Sequence, residues 1–181
     1  MKRTSWIIKD RKIKIALVGC GRISKNHFQA IKQFEPKLQL TAVCDTDENA
    51  ALSAAKEYGG KAYTNLDEML QTCDADIVSI CTPSGLHPMQ AIKVAKSGRH
   101  VLTEKPMATR WQDAIKMVKN CDAEGVRLFV VKQNRFNATL QLLKKAIDDG
   151  RFGRIYMANV NVFWTRPQDY DSQADWQGTW E

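Results

Sequence analysis

A lysine stands between an acid and a proline at the end of an apolar stretch of the sequence. Lys105 lies in the segment Thr103–Pro106, Thr-Glu-Lys-Pro, which closes a run that begins at His100. An amine held beside a bound cofactor can take a proton from a hydroxyl group when burial or a neighbouring positive charge favours its neutral form. The alternative is a salt bridge with Glu104 in a structural turn. We predict that Lys105 is a general base, because two further loops with chemical potential also follow apolar runs.

The first of these loops is a glycine turn. Ile13–Val18 is an apolar run that predicts a buried strand, and it leads into Gly19-x-Gly21-x-x-Ser24 at the start of a helical pattern. In such a turn the first glycine allows the tight bend, the second lets a pyrophosphate approach the backbone, and the third position needs a small residue. The phosphates would meet the amides of the helix that begins near Arg22. The turn therefore predicts dinucleotide binding; the alternative is a glycine turn without a ligand.

A carboxylate ends the second predicted strand. Asp45 follows Leu38–Cys44, where an acid can accept hydrogen bonds from an adenosine ribose and repels a 2′-phosphate. We therefore predict NAD in preference to NADP. The alternative is that Asp45, like Asp47 and Glu48, is an acid at a helix N-terminus.

Strands and helices alternate along the chain as far as Gly150. The apolar strands are separated by helices, which requires parallel crossover connections and predicts a doubly wound α/β sheet. The carboxyl ends of all strands then share one edge, so the glycine turn, the loop Cys81–His87 and the Lys105 loop converge on one crevice. We interpret His87 as a helix-start residue near the cofactor, His27 as a helix-face residue and His100 as structural. The predicted strands after Leu38–Cys44 are residues 76–81, 100–104 and 128–131.

The bulk composition excludes several classes of protein. The formal charge is +7, but lysines and arginines are scattered rather than clustered, so an anionic dinucleotide and an anionic substrate are better partners than nucleic acid. The five cysteines show no metal-ligand spacing and predict buried free thiols in a reducing cytoplasm, with no metal site. No segment predicts a signal peptide or a membrane span.

The pattern changes after Gly153. Residues Ile155–Trp164 alternate between apolar and polar, which predicts a long strand with one buried face. Such a strand has no partner in the sequence that follows, so we expect a truncated second domain. The predicted organisation is an extension at 1–11, a Rossmann domain at 12–131 and the start of a substrate domain at 132–181.

Glu104-Lys105-Pro106, the glycine turn and Thr82-Pro-Ser-x-x-His87 together resemble the glucose–fructose oxidoreductase/inositol dehydrogenase family, Gfo/Idh/MocA. The resemblance covers essentially the whole chain. It implies an N-terminal Rossmann domain, a C-terminal α/β domain and a catalytic lysine at the nicotinamide, which corresponds to Lys105. The other catalytic groups of the family lie in a second-domain segment beyond Glu181, so we expect this chain alone to be inactive. The implied cofactor-binding residues are Gly19, Gly21, Arg22, Ile23, Asp45, Thr82, Pro83, Ser84, His87, Glu104, Lys105 and Gln133.

The tail of the chain resembles one group within that family. Phe163–Tyr170, Trp176–Trp180 and Val131–Asn137 are similar to members that oxidise the 3-hydroxyl of UDP-N-acetylglucosaminuronic acid for bacterial surface polysaccharide. The resemblance implies an NAD-dependent enzyme in the cytoplasm and a homo-oligomer formed through the C-terminal sheet. The alternatives are an inositol or hexose dehydrogenase, or a non-catalytic NAD-binding protein on the same fold. The implied substrate-binding residues are Lys105, Asn134, Arg135, Trp164 and Arg166.

Overall fold

The computed structural model describes residue 8 and residues 10–165. The chain divides into two compact units, one that extends to Val131 and one that begins at Lys132. Each unit is described by itself below.

The first unit is built from six strands and five α-helices among the residues described, with one short 3₁₀ turn. The strands are short and mostly buried, and each is followed by a helix or a loop at the same edge of the sheet. The elements are β1 (Ile13–Val18), α1 (Ser24–Gln33), β2 (Leu38–Cys44), α2 (Glu48–Tyr58), β3 (Lys61–Tyr63), α3 (Leu66–Thr72), β4 (Ile77–Ile80), the 3₁₀ turn (Ser84–Leu86), α4 (His87–Lys96), β5 (His100–Thr103), α5 (Trp111–Ala123) and β6 (Leu128–Val130).

The six strands form one parallel sheet. Their order across the sheet is β3-β2-β1-β4-β5-β6, so the chain winds outward in one direction to β3 and then returns past β1 to build the other half. This confirms the doubly wound sheet that the alternating pattern predicts. The order reverses between β1 and β4, and a sheet of this kind binds its ligand at that point.

Alternate residues of the central strands supply two separate cores. Ala16 and Val18 of β1 belong to a core that includes Met69, Val94 and Met117 of α3, α4 and α5. The residue between them, Leu17, packs into the other core with Phe28 of α1 and Ala54 of α2. Burial on both faces explains why the strands are apolar throughout rather than alternating.

The second unit contains little regular structure. A 3₁₀ turn spans Gln133–Phe136, and α6 spans Ala138–Asp148, with Asn137 at its N-terminus accepting a hydrogen bond from the Thr139 backbone N–H at 3.1 Å. The apolar side chains of α6 are largely exposed, from 42% at Ile147 to 70% at Leu142.

The strand predicted over Ile155–Trp164 is not present in the structure. These residues have neither strand nor helix conformation, and the side chains of the face predicted to be buried are exposed, for example 84% at Tyr156 and 85% at Val160. The alternating pattern is a property of the segment, but a strand forms only when a neighbouring strand supplies hydrogen bonds. No such neighbour exists among the described residues of the second unit.

Candidate active site

Four loops leave the carboxyl edge of the sheet side by side. Just past the end of each strand, the backbone remains tied to its neighbour: Gly19 N–H donates to the Cys44 carbonyl at 2.8 Å, and Cys81 N–H donates to the Val18 carbonyl at 2.7 Å. Glu104 N–H donates to the Ile80 carbonyl at 3.0 Å. These bonds fix where the loops begin. The structure thus brings together the glycine turn, Asp45, the Thr82 loop and the Lys105 loop, as parallel strands require.

The two glycines of the turn are required for different reasons. Gly19 has a φ of +89°, and a Cβ atom placed on it would lie 2.7–2.8 Å from the backbone of Cys81 and Thr82. The protein itself therefore needs glycine at this position. A Cβ atom at Gly21 would meet no protein atom within 4 Å, and its φ is not in the left-handed region. The open space beside Gly21 is where a pyrophosphate could approach the backbone.

Helix α1 begins at this turn without a capping side chain. Its first turn contains no acidic residue, and no side chain accepts a hydrogen bond from its first amides. Ser24 is fully buried and its hydroxyl donates to the Gly21 carbonyl at 2.6 Å, which closes the turn from inside. Arg22 and Ile23 are exposed. The positive end of α1 thus faces the same open space as Gly21, an arrangement that suits the phosphates of a dinucleotide.

Asp45 holds the glycine turn as well as ending β2. One oxygen of its carboxylate accepts the Cys20 backbone N–H at 2.6 Å, and the other accepts the Asp47 backbone N–H at 3.0 Å. The cap of α2 is Asp47, whose side chain accepts from the Asn49 and Ala50 amides. Asp45 is therefore not the capping residue of α2. Each carboxylate oxygen has a second lone pair, so Asp45 can still accept a hydrogen bond from a ribose hydroxyl.

A buried histidine holds the loop after β4 through contacts with two backbone carbonyls. The His87 ring is 1% exposed, with Nε2 2.8 Å from the Thr82 carbonyl and Nδ1 2.9 Å from the Pro106 carbonyl. Because a carbonyl oxygen only accepts, each contact is a hydrogen bond when the facing nitrogen carries a hydrogen. His87 thus ties the Thr82 loop to the Lys105 loop, and its contact with the cofactor stays a prediction. The Thr82 hydroxyl donates to the Gln90 side chain at 2.6 Å, and Pro83 and Ser84 are half-buried.

Glu104 is buried and Lys105 is exposed. The Glu104 carboxylate accepts one hydrogen bond from the Lys105 backbone N–H at 3.1 Å, and its other oxygen lies 2.8 Å from Nε2 of His27. Burial raises the pKa of the Glu104 carboxyl, but the hydrogen bonds from His27 and from the Lys105 backbone outweigh it, so that pKa lies below its usual value. Among the described residues, no ion pair joins Glu104 to the Lys105 amine. The salt-bridge alternative is therefore not what the structure shows, and the burial expected for Lys105 is absent too.

Sequence reasoning missed the role of His27. Its ring bridges Glu104 and the hydroxyl of Ser79, which lies 3.0 Å from Nδ1. His27 lies on the apolar side of α1, one residue before the buried Phe28. A histidine in an apolar stripe is a signal that a polar partner must lie opposite it, although the sequence does not say which partner.

Three cysteines lie in or beside the same loops, and their thiols are protonated and therefore weakly nucleophilic. Burial raises the pKa of Cys20 and of Cys81 to about 12, and that of Cys44 to about 11. The five cysteines are free thiols, and no group of His, Cys, Asp and Glu side chains among the described residues could hold a metal ion. No helix in the part of the chain that the structure describes is long and apolar enough to cross a membrane.

The remaining predicted site residues belong to the second unit. Gln133, Asn134 and Arg135 form the exposed 3₁₀ turn that precedes α6, and Trp164 is 75% exposed. Arg166 lies outside the described residues, as do the aromatic segments of the tail beyond Thr165. Contacts of these residues with cofactor or substrate stay predictions.

The fold and the crevice define a dinucleotide-binding Rossmann domain. Residues 13–132 match the GFO_IDH_MocA model, described as an oxidoreductase family with an NAD-binding Rossmann fold, and the chain belongs to that family. The cofactor of the domain is NAD, and the residues present fit it: the uncapped start of α1, the open space at Gly21 and the carboxylate of Asp45.

Two crystal structures are similar over nearly the whole chain. The WlbA dehydrogenase from Bordetella pertussis, in complex with NADH and UDP-GlcNAcA, is 60% identical with a TM-score of 0.92, over 96% of this chain and 52% of that chain. The WlbA dehydrogenase from Chromobacterium violaceum, in complex with the same two molecules, is 57% identical with a TM-score of 0.92, over 96% and 50%.

Curated relatives are more distant. An inositol 2-dehydrogenase from Rhizobium meliloti is 33% identical over 82% of this chain and 44% of its own length. A 4-carboxy-2-hydroxymuconate-6-semialdehyde dehydrogenase from Sphingobium is 31% identical over 90% of this chain and 51% of its own length. The chain therefore spans about half the length of the relatives it matches.

Proposed function

We propose that this chain is the cofactor-binding part of an NAD-dependent dehydrogenase that oxidises the 3-hydroxyl of UDP-N-acetylglucosaminuronic acid. The observation that carries the proposal is the 60% identity, over 96% of this chain, to a dehydrogenase crystallised with NADH and UDP-GlcNAcA. The inositol dehydrogenases are similar at only 33% identity or less. An inositol or hexose substrate is therefore the less supported alternative.

In the first unit, some residues bind the cofactor and another takes part in proton transfer. NAD⁺, when bound, supplies the acceptor for the hydride that leaves the sugar carbon. The amides at Gly21 and at the start of α1 hold the pyrophosphate, and Asp45 accepts a hydrogen bond from the adenosine ribose. Lys105 lies just after the end of β5 at the same edge of the sheet, and its neutral amine takes the proton of the oxidised hydroxyl.

The exposure of Lys105 has a consequence for this role. An exposed amine is solvated and holds its proton, so a base at this position needs water to be excluded and a positive charge nearby. A bound nicotinamide cation supplies such a charge, and substrate and the second half of the protein would cover the amine. We therefore place the catalytic form of Lys105 in the complete complex and not in the cofactor-free chain.

Asp45 sets the choice between the two nicotinamide cofactors in this proposal. Its carboxylate is held in place by the Cys20 and Asp47 amides, so it cannot turn away from a 2′-phosphate without giving up both bonds. A fixed negative charge there disfavours NADP. The supporting geometry is the 2.6 Å bond to Cys20, which keeps the carboxylate beside the glycine turn.

The proposal also covers the use of the product, the cellular compartment, the oligomeric state and the contacts with the substrate. The product would serve the synthesis of a bacterial surface polysaccharide, and the enzyme would act in the cytoplasm as a homo-oligomer. The five cysteines are free thiols, and partial or full burial raises the pKa of Cys20, Cys44 and Cys81, which is consistent with a reducing compartment. Four residues that follow the first unit, Asn134, Arg135, Trp164 and Arg166, are proposed to contact the nucleotide sugar.

The test is a turnover assay with a protein of the relatives' length that contains this sequence. NAD⁺ reduction is followed by absorbance with UDP-N-acetylglucosaminuronic acid, UDP-N-acetylglucosamine and myo-inositol as substrates. We expect reduction with the first only, and a lower kcat/KM with NADP⁺ than with NAD⁺. Asp45→Asn keeps the shape of the side chain and removes its charge, so it should reduce the difference in kcat/KM between NAD⁺ and NADP⁺. Preferred oxidation of myo-inositol, or equal use of both cofactors by the unmutated protein, would contradict the proposal.

A further inference from the structure

Three polar side chains from three different elements meet beneath the Lys105 loop. Ser79 lies on β4 and is 1% exposed, His27 lies on α1, and Glu104 follows β5. The His27 ring is 3.0 Å from the Ser79 hydroxyl and 2.8 Å from the Glu104 carboxylate. The side chains of His27 and Glu104 are only 11% and 9% exposed. Nothing in the cofactor binding described above requires this chain of contacts.

The hydrogens of this chain can be placed in one consistent direction. The Cys81 thiol lies 3.8 Å from the Ser79 hydroxyl, and burial raises its pKa to about 12, so the sulfur keeps its hydrogen. When the His27 ring carries a single hydrogen, on Nε2, the thiol donates to Ser79, the Ser79 hydroxyl donates to Nδ1 of His27, and Nε2–H donates to Glu104. Every donor has an acceptor, and the chain ends at a carboxylate whose pKa is held below its usual value.

Glu104, which His27 orients, also holds the backbone of Lys105. Its second oxygen accepts the Lys105 backbone N–H at 3.1 Å. Because the Lys105 side chain is exposed and has no ion pair with Glu104, the backbone is the part of the lysine that the protein holds. The peptide of Lys105 is therefore oriented by a carboxylate that is itself oriented by His27.

We propose that His27 is a positioning residue for the reaction, which acts through Glu104 to fix the backbone of Lys105 relative to helix α1. The inference rests on the proposed function, since it assigns His27 to the base of that reaction. Helix α1 begins at the glycine turn, so the same element that receives the pyrophosphate also sets the place of the lysine. A reaction between cofactor, hydroxyl and amine depends on such placement, because an error of about 1 Å can cost about 100-fold in rate.

A purely structural role for His27 makes a different prediction. A side chain that only fills the space between α1 and the sheet would affect stability, and its loss would add to the loss at Glu104. A residue that acts only through Glu104 has no effect once Glu104 is gone, so the two substitutions are not additive.

The test compares kcat and KM in a protein of the relatives' length that contains this sequence. His27→Leu removes the donor, whereas His27→Gln keeps an N–H that can reach Glu104. We expect His27→Leu to lower kcat by about 10- to 100-fold with little change in KM for NAD⁺, and His27→Gln to recover a large part of the loss. The matched control is His100→Gln at the opposite edge of the sheet, which should keep kcat.

The double variant decides between the two roles. His27→Leu combined with Glu104→Ala should be no slower than Glu104→Ala alone. Additive losses, or a full kcat in His27→Leu, would overturn the assignment. If His27→Leu does not fold, Ser79→Ala takes its place in the same cycle with the same expected result. Absence of turnover in the unmutated protein is a different outcome, because it would remove the proposed function itself.

Discussion

The two glycines of the turn look equivalent in the sequence and differ in the structure. A side chain at Gly19 collides with protein backbone, whereas a side chain at Gly21 enters open space. The glycine pattern is therefore partly a requirement of folding and partly a requirement of the ligand. A pattern of three glycine or small positions could not separate these two causes.

Gly19→Ala and Gly21→Ala form a matched pair that tests this division in the 181-residue chain. Gly19→Ala should lower the free energy of unfolding by about 1–3 kcal/mol, because of the positive φ and the close contact. Gly21→Ala should leave stability nearly unchanged and weaken NADH binding by about tenfold, equal to ~1.4 kcal/mol. Urea denaturation and NADH fluorescence titration measure the two quantities. Equal losses of unfolding free energy in the two variants would show that folding requires glycine at position 21 as it does at position 19, which would contradict the open space beside Gly21.

Glu104 gives the stability of the first unit a specific dependence on pH. Burial raises the pKa of the Glu104 carboxyl, but the interactions with His27 and Lys105 together outweigh burial, so this pKa is lower in the folded chain than in the unfolded chain. The stabilisation is therefore complete above the unfolded value, which is near 4.5, and is lost as the pH falls through the folded value.

Glu104→Gln should remove this contribution at neutral pH. The difference in unfolding free energy between the unmutated chain and the variant should be large at pH 7 and should shrink as the pH falls below about 4.5, because protonation then costs the unmutated chain the same interaction. Urea midpoints at a series of pH values measure it. A difference that stays constant down to pH 3 would mean that the Glu104 carboxylate gains nothing from its partners.

Most of the elements were predictable because their boundaries are local. The strands β1 and β2 match the predicted ranges, since each apolar run ends at a glycine or an aspartate. The strand β3 was missed: it has three residues, of which only Tyr63 is buried, and gives no periodic signal. The pairing of His27 with Glu104, 77 residues apart, could not be predicted either, because no local pattern records which strand a helix face will meet.

In the segment 155–165, the alternating apolar and polar residues predict a strand that the structure does not contain. The amides of this segment have no ladder partner among the described residues, so they should exchange with solvent rapidly in dilute solution. The amides of β1 and β4, at the centre of the sheet, should exchange slowly. Hydrogen exchange on the 181-residue chain measures both sets at once. Strong protection of 155–164 in a proven monomer would mean that this strand finds its partner within the chain.

At the scale of the whole molecule, the chain carries the cofactor half of its family's chemistry. Residues 13–132 match the family with the NAD-binding Rossmann fold, whereas the proposed substrate contacts other than Lys105 lie after residue 131, and one of them, Arg166, lies outside the described residues. In the proposed function, the glycine turn and Asp45 bind the cofactor, and Lys105 is the base. The central claim is that these roles are separable.

The most direct test of that claim is Lys105→Met, measured for both turnover and NADH affinity in a protein of the relatives' length. Methionine keeps most of the length of the side chain and removes the amine. General bases typically contribute about 10²–10⁴-fold to rate, so kcat should fall by that amount, while the NADH dissociation constant should stay close to that of the unmutated protein. A loss of only a few-fold in kcat, or a loss fully explained by weaker NADH binding, would contradict the assignment of Lys105 as the base.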